Sequence, residues 1–435
     1  MSTPRPLAGR LVPLRTKDEV RASLEITDVF VVEVPAKHAN VIKDAVQAAL
    51  PSFRTSEISH LRRVVQFKFL PPHLQKQFYP PMRLPRGDDD NPASRILLSS
   101  ASASVPTAPL CAPPSPVASG SDMAAEEALA EHFDLVRYFL LCPTHYMSRA
   151  DLVGVIRTCP PFEGKAALPR IFNVTVPALA PISGEQATEW SDRYWPISYK
   201  NTNPYGPHPS LVQRNQDEIQ AEAGNWLALA KSAGQQISEA CLGESIGVVV
   251  VDCTTGKPEV IAVAGDCRWR SASGTPEPQT GTGNVMAHAV PRVIAMVAKK
   301  RLRVAGTDPT YLDRPLFCDN PLTPIEQSYF DKDNISSSGY LCVDLDIYLT
   351  NEPCVMCSMA ILHSRFRRCI FAKRMPHTGG MTSDGPDHVM STAGGLRNGL
   401  FWRPNELNWK FLAWEFKEDN KAADGATGLK NTLHA

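Results

Sequence analysis

Residues 340–373 read YLCVDLDIYLTNEPCVMCSMAILHSRFRRCIFAK, and this stretch decides the fold. YLCVDLDIYLT is apolar and rich in strand formers, PCVMCSMAILHS reads as a helix beginning at Pro353, and RRCIFAK returns to strand. Working outward, SIGVVVVD (245–252), the turn CTTGK and PEVIAVAG (258–265) form a strand pair. NQDEIQAEAGNWLALAKSAGQQI (215–237) precedes it as a helix. A second helix is expected from near His288 through PRVIAMVAKKRL, with Pro291 tolerated in the first turn, where no N–H is needed. A loop spans about 304–338, and WKFLAWEF (409–416) is a last short element. Helix, hairpin, helix, strand, helix, strand describes a three-layer α/β/α sheet, an α/β fold over residues 216–416.

A smaller α+β unit precedes it. DVFVVEV (28–34), a helix carrying Val41, Ile42, Val46 and Ala49, and RRVVQFKFL (62–70) make one β-α-β half. LVRYFLLC (135–142), SRADLVGVIRTC (148–159) and RIFNVTVPAL (170–179) make another, so residues 23–180 are expected to form a ferredoxin-like domain. Between the halves, about 80–123, the text is Pro, Ser, Ala and Asp with few large apolar residues, the composition of a disordered insertion. Residues 1–22 are expected to be flexible, 181–215 to be a connector whose Trp and Tyr dock on a neighbour, and 417–435 to be a polar tail.

Lys plus Arg and Asp plus Glu number 45 each, so any basic footprint is local. No apolar run is long enough to cross a bilayer and the start has no signal-like core, which points to an intracellular protein of nucleus or cytoplasm, with no membrane partner. Eleven cysteines, an odd number scattered over 435 residues, do not read as a disulfide framework. Nine sit singly; only Cys354 and Cys357 are paired at ligand spacing.

Zinc takes thiolate sulfur and imidazole nitrogen in a tetrahedron, and three protein ligands leave an open position. His288 in MAHAV (286–290), with Cys354 and Cys357, supplies those three. The set matches the H-x-E…P-C-x-x-C pattern of zinc deaminases at every position but one: Val290 stands where the proton-carrying glutamate belongs. General acid–base help is worth about 10²- to 10⁴-fold, so a self-sufficient deaminase is not expected and no catalytic residue is assigned. Glu352 reads as a helix N-terminal acid complementing the dipole; Asp266 and Glu244 are the other acids that sequence leaves able to approach the metal.

The run TNEPCVMCSMAILHSRFRRCIFAK closely resembles the tRNA adenosine deaminases of the cytidine deaminase-like superfamily. With AHAV in place of the HAE motif and a WPISYK region ahead, the chain from about 188 to 416 resembles the non-catalytic subunit family of the eukaryotic tRNA wobble adenosine deaminase. That resemblance implies a heterodimer with a catalytic HAE-bearing subunit, the anticodon arm of tRNA as ligand, and conversion of adenosine to inosine at the wobble position. It also raises closure of the zinc position by the tail, where His434 is chemically able to ligate.

Basic residues gather where RNA contact is expected: Lys299, Lys300, Arg301 and Arg303 after the His288 helix, then Arg365, Arg367, Arg368, Lys373 and Arg374 after the cysteine helix. Arg62 and Arg63 form a second cluster in the N-terminal domain. The rival readings are a stand-alone nucleoside or nucleotide deaminase using another acid, and a structural zinc scaffold.

Overall fold

The computed structural model describes residues 4–79, 133, 135–165, 168–270, 279, 281–384, 398–419, 433 and 435. The insertion expected at about 80–123 lies outside them. In chain order the elements are β1 (Gly9–Pro13), α1 (Lys17–Leu24), β2 (Ile26–Pro35), α2 (Ala39–Ala49), β3 (Val64–Val65), α3 (Pro72–Phe78), β4 (Val136–Pro143), α4 (Arg149–Arg157) and β5 (Ile171–Pro177). There follow α5 (Gly184–Arg193), α6 (Pro209–Glu239), β6 (Gly247–Asp252), β7 (Glu259–Gly265), α7 (Ala289–Val304), α8 (Pro324–Phe330), β8 (Leu345–Asn351), α9 (Val355–His363), β9 (Arg368–Lys373) and β10 (Leu412–Glu418). They divide into two compact units, one of residues 26–179 and 185–198, the other of 1–25, 180–184 and 199–435.

The larger unit holds a six-stranded sheet in the order β1-β10-β9-β8-β6-β7. The β10, β9 and β8 neighbours are parallel, while the hairpin β6–β7 and both other pairs are antiparallel. Alternation along the strands sorts the core into two layers. Val248, Val250, Ile347, Leu349, Cys369 and Phe371 point to the face covered by α7 and α9. Val249, Val251, Tyr348 and Ile370 point to the face covered by α6. Each fully buried Val, Leu or Ile contributes about 1.5–3 kcal/mol, which is why this alternation fixes the register. The α6 helix comes in close: a Cβ on Gly247 would stand 1.9 Å from the Ala230 carbonyl oxygen.

Residues 4–22 correct the expectation of a flexible N-terminus over 1–22. From residue 9 they form an edge strand antiparallel to β10, and Thr16 caps α1 in a capping box with Glu19. Nothing in their short, proline-broken text marks a strand whose pairing partner lies 400 residues away. A second difference is α8, inside the expected 304–338 loop.

The smaller unit runs β2-α2-β3-α3-β4-α4-β5, and its four antiparallel strands lie in the order β3-β4-β2-β5. RRVVQFKFL gives only two strand residues, because it turns into a 3₁₀ segment at Phe67–Phe69 and then meets Pro71 and Pro72, which start α3. The connector is partly structured: α5 and the stretch to Ser198 belong to this unit, with Trp195 fully buried and its indole N–H donating to the Arg62 carbonyl at 2.8 Å. No described helix is long and apolar enough to cross a membrane.

Candidate metal centre

Two helix starts meet on one face of the larger sheet. His288 is the N-cap residue of α7 and Cys354 the N-cap residue of α9, with Cys357 in the first turn of α9. Both cap residues have the extended backbone usual at a helix start. His288 Nδ1 lies 3.8 Å from Cys354 Sγ and 3.5 Å from Cys357 Sγ, and the three donor atoms are mutually within 4.8 Å. Metal–ligand bonds of about 2.0 Å to nitrogen and about 2.3 Å to sulfur in a tetrahedron need ligand separations of this size. The three side chains are buried, and the second imidazole nitrogen, Nε2, has no hydrogen-bond partner among the described residues.

Electrostatics favour a thiolate here. A hydrogen bond from Cys357, with lesser help from His288, brings the Cys354 thiol down to about 4, and Cys357 is pushed well above the ordinary thiol range by the same contact. The pair therefore shares one proton in the absence of a cation, and a soft divalent ion bound by both sulfurs would displace it. Two helix N-termini aimed at the cluster add to that preference.

Val290 is 1% exposed and packs in the same apolar cluster as Cys354, Cys357 and Ile361. Among the described residues of that cluster none carries a carboxylate. The other acids named from sequence are committed elsewhere. Glu352, two residues ahead of the Cys354 cap, is fully buried and clamps the loop after β9, accepting from the Met375 (3.0 Å), Met381 (3.1 Å) and Thr382 (2.9 Å) N–H groups and the Thr382 hydroxyl (2.9 Å). Burial raises its pKa and these hydrogen bonds oppose the rise. The fit leaves no room at Gly379, where a Cβ would stand 2.2 Å from the Glu352 carboxyl carbon. Asp266 is fully buried and held by both Nε and Nη2 of Arg268, each at 2.8 Å. Neither it nor Glu244 joins the group of metal-capable donors among the described residues. Ala435 and Leu433 lie against the site, their carbonyls accepting from the Cys354 N–H (2.8 Å) and the Thr378 hydroxyl (2.6 Å), whereas His434 lies outside the described residues.

The basic residues divide sharply. Lys299 is buried, with Nζ on Asp313 (2.5 Å), Asn320 (2.8 Å) and Asp319 (3.0 Å). Lys300 is buried on the carbonyls of Ile261 and Tyr329 and on Asn334, and desolvation lowers its pKa to about 8. Arg301 reaches the Leu341 and Ser336 carbonyls, and Arg303 pairs with Asp333 at 2.7 Å. Arg367 and Arg368 share Asp346 and Glu218; Arg374 joins Asp384 to Glu415. These side chains tie loops to the sheet, so the expected phosphate contacts of Lys299, Lys300, Arg367, Arg368 and Arg374 meet cations already occupied by acids or carbonyls. Lys373 is half-buried at the end of β9. Arg365, and in the smaller unit Arg62 and Arg63, have no acidic partner among the described residues.

Sequence reasoning missed Arg292, one turn into α7. It is fully buried and donates to the Gly265, Cys318 and Asn320 carbonyls and to both oxygens of Glu326. Its only signal is a charge on the apolar face shared with Val293 and Met296.

Comparison with known proteins agrees with this geometry. Residues 221–373 match the family described as the cytidine and deoxycytidylate deaminase zinc-binding region. The tRNA-specific adenosine deaminase subunit tad3 of Schizosaccharomyces pombe is 30% identical over 291 residues, 65% of this chain and 70% of the relative. The chain belongs to the Tad3 family. The Saccharomyces cerevisiae tRNA-specific adenosine deaminase subunit TAD3 is 29% identical over 210 residues, 48% of this chain and 51% of its own. The Homo sapiens protein named probable inactive tRNA-specific adenosine deaminase-like protein 3 is 27% identical over 220 residues, 47% and 54% respectively. The chain thus spans about half the length of these last two relatives.

Proposed function

We propose that this Tad3-family chain is the catalytically silent, zinc-binding subunit of a heterodimeric tRNA-specific adenosine deaminase that makes inosine at the wobble position, with chemistry in an HAE-bearing partner. One observation carries the reading: Val290 is buried beside the three ligands at the place where deamination needs a proton carrier. His288 Nδ1 and the sulfurs of Cys354 and Cys357 are the atoms that would hold zinc. When bound, zinc supplies Lewis-acid charge and fastens the starts of α7 and α9 together. Hydrolytic deamination then still needs a side chain that takes a proton and returns it to the base and to the departing ammonia. Val290 exchanges no proton, the oxygens of Glu352 are engaged by four donors, and Asp266 is held by Arg268.

The order β3-β4-β2-β5 supports a ferredoxin-like reading of the smaller unit, where the Arg62 and Arg63 pair is offered to tRNA; Arg365 plays that part in the larger unit. The protein acts inside the cell, in nucleus or cytoplasm, with its RNA. The test is to purify the chain alone and with an HAE-bearing partner and to measure inosine at the wobble adenosine. Activity is expected only from the pair, and turnover by the single chain would end the proposal.

A further inference from the structure

Among the basic residues that follow α7 and α9, Lys299, Lys300, Arg301, Arg303, Arg367, Arg368 and Arg374 are held by acids or carbonyls, whereas Arg365 lies over an aromatic ring. Its backbone is left-handed, with φ +68°, a region that residues carrying a Cβ rarely enter and that persists where surrounding structure holds it. The guanidinium lies 4.9 Å from the ring centroid of Trp409, and among the described residues Nη1 donates to the Asn408 carbonyl at 3.3 Å. Trp409 is itself pinned, since its indole N–H donates to the Phe366 carbonyl at 3.1 Å and its ring packs against the buried cluster. The next residue repeats the arrangement: exposed Lys410 holds Nζ 4.7 Å from the ring centroid of half-buried Trp402. Neither Arg365 nor Lys410 meets a carboxylate among the described residues.

A guanidinium stacked on a fixed indole keeps its outer face and part of its N–H edge available, and a neighbouring ammonium adds charge. Flat π-faces with adjacent cations are what unpaired nucleotides use, the base stacking and the phosphate meeting the cations. We infer that the Arg365–Trp409 and Lys410–Trp402 stacks form a platform for unpaired nucleotides of an RNA ligand. The inference rests on the proposed RNA-binding role and adds to it the kind of RNA recognised. An acidic peptide would use the charges but not the plane.

The experiment uses the full chain in complex with its HAE-bearing partner and two RNA probes: an anticodon stem-loop, and the same stem continued as a duplex with no unpaired nucleotide. Arg365→Gly removes the guanidinium while accepting the left-handed backbone; Lys410→Gln removes the second charge; Arg365→Lys keeps charge without the plane. Loss of a stacking contact predicts that Arg365→Gly/Lys410→Gln weakens stem-loop binding about 10- to 100-fold, with duplex binding within about twofold of the unsubstituted complex. Arg365→Lys should fall between. Equal weakening of both probes, unchanged stem-loop affinity, or dissociation of the two subunits with unchanged affinity per intact complex would each overturn the platform. Such results leave the RNA-binding role standing, whereas failure of the unsubstituted complex to bind either probe removes that role and the platform with it.

Discussion

Replacing Arg292 by Met tests whether the His288 helix is held in place by a buried ion pair. The guanidinium has no solvent exposure and makes contacts to Gly265 on β7, to the Cys318 and Asn320 carbonyls and to both oxygens of Glu326, the last at 2.7 and 2.9 Å. Removing it leaves the charge of Glu326, itself fully buried, without its cation and with only the Gly265 and Leu322 N–H groups as donors, and takes a donor from three carbonyls. Breaking a buried pair from one side costs about 3–5 kcal/mol, whereas removing both partners together is often close to neutral. Arg292→Met should therefore lower the melting transition by about 6–20 °C at about 2–4 °C per kcal/mol. Arg292→Met/Glu326→Leu should recover more than half of that loss. The Arg292 backbone N–H, which Met keeps, donates to the His288 carbonyl at 3.3 Å, so any shift of this turn of α7 in the single variant carries His288 with it and should weaken zinc binding. Thermal melts and zinc content of the three proteins measure both effects. A single variant that melts within about 2 °C of the wild type, or a double variant no better than the single, would refute the reasoning.

Cys354→Ser should lose zinc and stability together, and a fully metallated variant of equal stability, by metal analysis and melting, would remove Cys354 from the ligand set. Val290→Glu puts a carboxyl into an apolar cluster that is 1% exposed at that position, so the variant should be less stable and its purified chain should still release no ammonia from an anticodon stem-loop; robust turnover would show that the acid alone was missing. Lys300 gives a pH signature. Burial lowers its pKa to about 8 from the ordinary lysine value of 10.5, so above pH 8 the unfolded chain binds more protons than the folded one and the destabilisation caused by the buried charge is relieved. The wild type should gain stability relative to Lys300→Met as pH rises from about 8 to about 10 in denaturant titrations, and a constant difference would contradict the assignment.

Local pattern was enough for the site because each of its parts is local. The CxxC spacing, a cap residue ahead of each helix and the alternating strands around them are settled within a few residues, so His288, Cys354, Cys357 and the α/β/α layers were legible in the sequence. What sequence hid was long-range. The edge strand β1 pairs with β10 across the whole larger unit, and two to five apolar residues beside prolines carry no sign of it. The basic runs were legible as runs, but whether a lysine faces solvent or an aspartate twenty residues away depends on how the 305–341 loop folds back, and Lys299 with Asp319 shows the outcome. A local signal for part of that folding was present and unused: Thr323, Pro324 and Glu326 have the cap, first-position proline and third-position acid of a helix start, and Thr323 does accept from the Glu326 N–H at 3.4 Å. Starting α8 there delivers Glu326 to Arg292. The loop that looks like an unstructured excursion thus supplies Asp313, Asp319 and Glu326, the acids that let α7 bury Lys299 and Arg292, while Lys300 on the same helix is met by two carbonyls and Asn334.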